Sequence, residues 1–243
     1  MSSTRSRTDE LEAIAYEFWR APEVEELDGW RLRFAHGLTG RANSVWPNGD
    51  GNLPLDEKID RAEVWYRERG LAVLFQMTDA ARPSLLEDAL ASRGYELRGV
   101  PVSVETAPLD EVIARTSGNA DVSDDFDDGW LELWAGSRGF ENRAAARALL
   151  LEGDAAFARI GDIAVGRGVA ARGWLGITSM VTRRDARRQG HARAIVHALA
   201  RWARDRGCTN AMLQVESTNT PARTLYAATG FVPHHEYHYR KLA

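Results

Sequence analysis

The feature of this sequence that most constrains its fold is an internal repeat at an almost constant distance. The stretch Trp-x-Arg-Glu/Asp-Arg-Gly occurs twice, starting at Trp65 and again at Trp202. Two further pairs keep the same order and are separated by 138 and 136 positions: Gln76 with Gln214, and Gly94 with Gly230. A repeat of this length predicts a duplicated structural unit, and it has to be recognised before single motifs are interpreted.

The hydrophobic spacing predicts the order helix, strand, helix, strand in both halves. In the first half these elements are expected at Ile59–Arg69, Leu71–Met77, Ser84–Arg93 and Tyr95–Glu105, after strands at Trp30–Phe34 and Arg41–Trp46. In the second half, helices are expected at Asp127–Gly139 and Glu141–Leu151, and strands at Ala155–Ile160, Ile163–Val169 and Gly173–Thr182. The second half is completed by four further elements: a helix around Ile195 and Leu199, a strand at Ala211–Glu216, a helix capped by Thr220 and a strand from Phe231. We therefore expect an α/β (α+β) protein with a first half at 1–106, a linker at 107–124 and a second domain at 125–243.

Composition excludes several classes of protein. The 243 residues are 44% hydrophobic and carry a formal net charge of −4, which disfavours binding to nucleic acid or to an acidic membrane. A single cysteine, Cys208, excludes an intrachain disulfide and fits a reducing cytoplasm. The histidines near the C-terminus lack the spacing of a metal site, so no metal is expected. We expect a cytoplasmic monomer or homodimer.

The most informative segment joins an apolar strand to an amphipathic helix through a basic turn. Five arginines lie between Arg183 and Arg193, and Gly190 lies just before the helix. The first N–H groups of a helix have no partner within the helix and face outward at the positive end of its dipole, so they bind anions. Such a turn suits a diphosphate, although a solvated basic turn is the alternative interpretation. The Gly-x-x-x-x-Gly-Lys and Gly-x-Gly-x-x-Gly patterns of ATP and NAD sites do not occur here.

The turn Arg187-x-x-Gly190-x-Ala192 is followed by Asn219-x-x-Ala-x-x-Leu-Tyr226-x-x-x-Gly-Phe. Together these motifs resemble the GNAT superfamily of N-acetyltransferases, over about residues 125 to 243. The resemblance implies two tandem GNAT-like halves, each with a mixed central sheet flanked by helices. The first half has Pro-Asn-Gly-Asp-Gly-Asn-Leu-Pro where the basic turn would lie, so it resembles a degenerate copy that has lost cofactor binding.

In GNAT proteins the turn binds the diphosphate of acetyl-CoA and the preceding strand binds its pantetheine arm. The resemblance therefore assigns acetyl-CoA binding to one set of residues: Met180, Val181, Thr182, Arg187, Arg188, Gln189, Gly190, His191, Ala192, Arg193 and Asn219. Asn219 has capping of the following helix as a second interpretation.

Two residues are candidates for proton transfer. Tyr226 stands where GNAT proteins place a tyrosine beside the sulfur, so it is the predicted general acid, with packing in the core as the alternative. Glu216 ends the strand before Asn219 and is the candidate base, with a solvated strand end as the alternative.

The sequence thus predicts an acetyl-CoA-dependent N-acetyltransferase acting on a small-molecule amine such as an amino acid, a polyamine or an amine-bearing antibiotic. A protein lysine acetyltransferase and a non-catalytic acyl-CoA-binding module remain as alternatives.

Overall fold

A computed structural model describes residues 6–242 of the chain. Its α-helices are α1 (Arg7–Phe18), α2 (Leu55–Glu68), α3 (Leu86–Ser92), α4 (Leu109–Arg115), α5 (Asp128–Gly136), α6 (Arg143–Leu150), α7 (His191–Asp205) and α8 (Thr220–Ala228). Its strands are β1 (Glu23–Leu27), β2 (Trp30–Phe34), β3 (Val45–Trp46), β4 (Leu74–Met77), β5 (Tyr95–Pro108), β6 (Asp121–Ser123), β7 (Asp154–Ile160), β8 (Ala164–Ala171), β9 (Trp174–Thr182), β10 (Asn210–Glu216) and β11 (Val232–Leu242). Short 3-10 turns lie at Gly40–Ala42 and Arg184–Ala186. No helix within residues 6–242 is both long enough and apolar enough to cross a bilayer.

The chain divides into two compact units. The first contains the residues up to Ala13, Ala21–Val102 and the residues from Glu236 on, and the second contains Ile14–Arg20 and Ser103–His235. The division falls inside α1, β5 and β11, so each of these three elements contributes residues to both units.

The first unit has its strands in the order β1-β2-β3-β4-β11. The β3–β4 pair is parallel, and the other pairs are antiparallel. Its core is formed by α2, α3 and the strands, with Trp30, Ile59, Tyr66 and Phe75 fully buried. The helical spacing of Ile59 and Tyr66 on α2 produces this buried face.

The second unit has its strands in the order β5-β10-β9-β8-β7-β6. The β9–β10 pair is parallel, and the pairs from β9 to β6 are antiparallel. The helix α7 covers this sheet with Ile195, Val196 and Leu199, all fully buried. The mixed α+β class predicted from the sequence is therefore confirmed.

A buried arginine holds the second unit together. The Arg167 guanidinium on β8 donates to the carbonyl oxygens of Phe18 at 2.7 Å, Leu150 at 2.7 Å and Glu152 at 2.5 Å. Burial lowers the pKa of Arg167 to about 9. These bonds satisfy the carbonyls at the ends of α1 and α6, which have no partner within their helices.

The structure differs from the sequence prediction in several places: α1 and β1 were not predicted, and three other differences concern the linker, one strand and one helix cap. Residues 107–124, expected to be a linker, form α4 and β6, and Leu109 is buried in the core of the second unit. The strand expected at Arg41–Trp46 is only Val45–Trp46, because the Asn43 amide oxygen accepts from the backbone of Ala35 and Gly37 and the residues before it form a 3-10 turn. The N-cap of α8 is Asn219, one residue before the Thr220 that we expected.

Candidate active site

The predicted diphosphate turn connects β9 to α7 and has an unusual backbone. Arg188 has φ +66° and Gly190 has φ +87°, so two residues of the turn lie in the left-handed region. Residues that alternate between right- and left-handed conformations direct successive N–H groups into a shared concavity that binds anions. At Gly190 this conformation costs little because glycine has no Cβ.

The first turn of α7 completes this concavity. Its N-cap is Gly190, so no side chain accepts a hydrogen bond from the first amides of the helix. The helix is 15 residues long and has no acidic residue in its first turn. The N–H groups of His191, Ala192 and Arg193 are therefore available to an anionic ligand at the positive end of the helix dipole.

The arginines around the turn have different surroundings. Arg183 is paired with Asp162 at 2.8 Å and with Asp185 at 2.7 Å, so its charge is already neutralised. The Arg193 guanidinium donates to the carbonyl of Arg115 on α4, which leaves its backbone amide as the group facing the turn. The Arg187 side chain is exposed, and its Nε lies 3.4 Å from the Thr182 carbonyl. Arg188 and Gln189 are also exposed.

The strand before the turn has backbone groups that are free for a ligand. The parallel pairing of β9 with β10 ends at Ile177 and Leu213, although both strands continue, to Thr182 and Glu216. The residues Met180, Val181 and Thr182, all partly buried, therefore have one backbone edge that β10 does not pair. The predicted pantetheine-binding residues lie on this edge.

A β-bulge lies on the same part of β9. The pairing with β8 moves from Val165↔Val181 to Arg167↔Thr178, so Ser179 and Met180 together oppose Gly166. Ser179 has φ +55°. A bulge leaves the extra residue out of the hydrogen-bonded ladder, so backbone groups here can point toward a bound ligand.

Asn219 and Tyr226 lie on α8, which follows β10. The Asn219 Oδ1 accepts a hydrogen bond of 3.3 Å from the Ala222 amide, so its capping role is present in the structure. Tyr226 is 8% exposed and packs edge to face against Phe231. Burial, followed by the negative charge of Glu105, raises the pKa of Tyr226 to about 12.

The two carboxylates near α8 differ in burial. Glu216, the base predicted from the sequence, is exposed at the end of β10. Glu105 on β5 is only 2% exposed, and its Oε1 lies 3.5 Å from the Nε of Arg223 on α8. Sequence reasoning missed Glu105, although a carboxylate in the segment Val102–Ala107, where Val102, Val104 and Ala107 are apolar, is an unusual residue for a buried strand.

The corresponding turn of the first unit, between β3 and α2, is occupied by the protein itself. The Asp28 carboxylate accepts hydrogen bonds of 2.8 Å from the amides of Asn52 and Leu53, just before α2. The fully buried Lys58 donates to the carbonyls of Asp28 and Asp50, each at 2.7 Å. An internal carboxylate thus binds the amides that precede this helix.

Comparisons with known proteins agree with this geometry. Residues 5–240 match the family described as "Probable histone acetyltransferase Rv0428c C-terminal". The chain belongs to this family of GNAT N-acetyltransferases. It is 28% identical over 242 residues to the "Uncharacterized N-acetyltransferase YobR" of Bacillus subtilis, covering 95% of this chain and 96% of that protein.

Two solved structures share the fold. A GCN5-related N-acetyltransferase from Kribbella flavida has a TM-score of 0.67 and 12% identity, covering 98% of this chain and 96% of its own. A tandem GNAT protein from the clavulanic acid biosynthesis pathway has a TM-score of 0.56 and 12% identity, covering 77% and 70%. The GNAT resemblance of the sequence and its tandem character are thus confirmed.

Proposed function

We propose that this GNAT protein transfers an acetyl group from acetyl-CoA to the primary amine of a small molecule. The observation that carries the proposal is the uncapped start of α7 directly after an unpaired edge of β9. A diphosphate and an amide-containing arm, joined in one ligand, match these two neighbouring sets of backbone donors and acceptors.

The residues of the turn would bind the diphosphate of acetyl-CoA. The amides of His191, Ala192 and Arg193 at the uncapped start of α7 would bind phosphate oxygens, and the exposed guanidinium groups of Arg187 and Arg188 would add positive charge that pairs with them. The backbone of Met180 to Thr182 would hold the pantetheine arm, and the bulge at Ser179 would offer an N–H group to the thioester oxygen. Acetyl-CoA supplies the activated acyl group, and the protein supplies orientation and electrostatics.

Tyr226 would donate a hydrogen bond to the sulfur as it departs. Tyr226 belongs to the same buried cluster as Ile177 of β9 and Val215 of β10, with Met180 packed against that cluster. Because its pKa is about 12, the hydroxyl keeps its proton at neutral pH and can act as a donor. Burial strengthens this hydrogen bond, since water does not compete for the same sulfur.

The burial of Tyr226 also bears on the acceptor. A reacting centre below the surface favours a slender amine over a folded protein surface. A protein lysine is the second candidate, because the family description names a probable histone acetyltransferase and the net charge of −4 would attract a basic peptide.

The proposal is tested by two measurements on the purified chain. Calorimetry with acetyl-CoA should give binding, and a thiol-release assay should give turnover with members of a panel of amino acids, polyamines and aminoglycosides. Faster turnover with lysine-containing histone peptides than with every small amine would favour the second candidate. Binding without turnover on any acceptor would identify a non-catalytic acyl-CoA-binding module, and absence of binding would refute the proposal.

A further inference from the structure

The second unit contains a buried carboxylate that the GNAT motifs do not include. Glu105 lies on β5, the strand next to β10, and its side chain faces α8. Its charged and titratable neighbours there include Arg223 and Tyr226, both on α8, and the positive charge of Arg138, which follows α5, also acts on Tyr226. The carboxylate is thus close enough to Tyr226 for the two groups to influence each other's charge.

We propose that Glu105 is the general base of acetyl transfer, taking the proton from the acceptor's ammonium group while Tyr226 faces the departing sulfur. This inference rests on the proposed function and names a residue of the same site. It replaces Glu216, which is exposed to solvent at the strand end.

Three observations support this assignment. Glu105 is nearly inaccessible to solvent, and a buried carboxylate is rarely retained without a partner or a task. Its ion pair with Arg223 is loose, because the distance of 3.5 Å exceeds that of a good charge-assisted hydrogen bond. Burial raises the pKa of Glu105 despite the nearby Arg223, which brings this carboxylate closer to the range of an effective base at neutral pH.

The Arg223 side chain fits a positioning role. Its Nη1 donates to the Ser217 carbonyl at 3.2 Å, which fixes the guanidinium between β10 and α8. Its Nε lies 3.5 Å from the Glu105 carboxylate and has no hydrogen-bond partner among the residues that the structure describes. The positive charge of Arg223 favours the ionised form of Glu105, and the loose geometry of the pair leaves carboxylate lone pairs for the ammonium.

The reaction balances with these two residues. The acceptor nitrogen bonds to the carbonyl carbon, and the bond between that carbon and sulfur breaks. The ammonium group loses two protons in becoming an amide. One passes through Glu105 to solvent. The other passes from the attacking nitrogen to the sulfur, which leaves as a thiol, while Tyr226 keeps its own proton and donates a hydrogen bond to that sulfur. No oxidant, reductant or metal is required.

The test compares Glu105→Gln with Glu96→Gln, a matched change of an exposed carboxylate on the same strand. We expect Glu105→Gln to bind acetyl-CoA with unchanged Kd and to lose about 10²- to 10⁴-fold in kcat at pH 7. Glu96→Gln should retain full activity. The loss should shrink at high pH and with a fluorinated amine that is already neutral at pH 7, because neither condition requires a base. A merely structural role would not produce this dependence on the acceptor.

The outcomes separate the two proposals. If the wild-type chain is active and Glu105→Gln keeps its rate and pH profile, the role of Glu105 is overturned and the proposed function stands. The same holds if Glu216→Gln, and not Glu105→Gln, loses the rate. If circular dichroism shows that Glu105→Gln does not fold, Glu105→Asp, which keeps the carboxylate, is measured in its place. A rate loss that is equal for neutral and charged amines would then overturn the role of Glu105 as the base. A wild-type chain that acetylates no amine would overturn the proposed function and this assignment with it.

Discussion

Replacing Tyr226 by phenylalanine removes one hydroxyl from the core of the second unit and leaves its packing against Phe231 in place. If the hydroxyl donates to the departing sulfur, the variant loses one hydrogen bond to a charged group. Such a bond contributes about 1.5–3 kcal/mol. With about 1.4 kcal/mol for each factor of ten, kcat should fall about 10- to 150-fold.

The pKa of Tyr226 determines how this loss depends on pH. A thiol of pKa about 8.5 is more acidic than a phenol whose pKa is about 12, so complete transfer of the tyrosine proton to the thiolate is uphill. We therefore expect Tyr226 to act as a donor that remains protonated. The ratio of wild-type to variant kcat should stay constant from about pH 6 to pH 10, well below that pKa.

The assay is thiol release at saturating acetyl-CoA, with acetyl-CoA binding measured separately by calorimetry. Tyr95→Phe is the matched control, because it removes a hydroxyl that donates to Glu63 at 2.8 Å within the first unit and that has no role in the proposed reaction. We expect this control to keep the wild-type kcat. A Tyr226→Phe variant with more than half of the wild-type kcat, or a loss that disappears above about pH 9, would refute the reasoning.

Three substitutions and one titration test other parts of the structure. Gly190→Ala places a Cβ on a residue with φ +87°, which costs about 1–2 kcal/mol, so we expect acetyl-CoA binding weaker by about 5- to 30-fold in calorimetry. Titration of the wild-type chain should give one acetyl-CoA per chain, since Asp28 already binds the amides before α2; two sites would contradict this. Hydrogen bonds from the amides of Leu53 and Asn52 lower the pKa of Asp28. The ionised carboxylate therefore stabilises the fold at neutral pH, and this stabilisation is lost as the pH falls through the lowered pKa. Asp28→Asn should lower the Tm at pH 7, and the Tm of the variant should fall less steeply toward pH 3 than that of the wild type. Arg167→Met leaves three buried carbonyls without their donor, which costs about 3 kcal/mol or more of stability. The Tm should therefore fall by at least about 6 °C in a thermal melt. An unchanged Tm would argue against a stabilising role for these three hydrogen bonds.

The elements with clear hydrophobic periodicity could be predicted from the sequence. The face of α7 formed by Ile195 and Leu199 has helical spacing, and β2 was predicted with the bounds that the structure shows. Local signals of this kind are strong where one face of an element is buried. The turn before α7 could be recognised because an anion site at a helix start needs a glycine and basic residues in adjacent positions.

The elements that were missed depend on contacts distant in sequence. Nothing in the local pattern shows that α4 covers the second core through Leu109, or that Asn43 bonds to the preceding loop and shortens β3. The bulge at Ser179 follows from the registers of β8 and β9, which no single segment determines. Glu105 was missed for the same reason, since its proximity to Arg223 joins residues more than a hundred positions apart.

The position of Glu105 also suggests why the protein needs its first half, whose turn before α2 is already occupied by the Asp28 carboxylate. By the repeat in the sequence, β5 is the last strand of the first half, yet its residues 103–108 belong to the second unit. The reverse holds for β11, whose residues from Glu236 on belong to the first unit. Neither half of the sequence therefore contains all of its own unit, and a chain cut at the boundary near residue 106 would separate Glu105 from Arg223. In the first half the Asp28 carboxylate already binds the amides before α2. This half is nevertheless needed for the proposed reaction, because it supplies the strand that carries the proposed base.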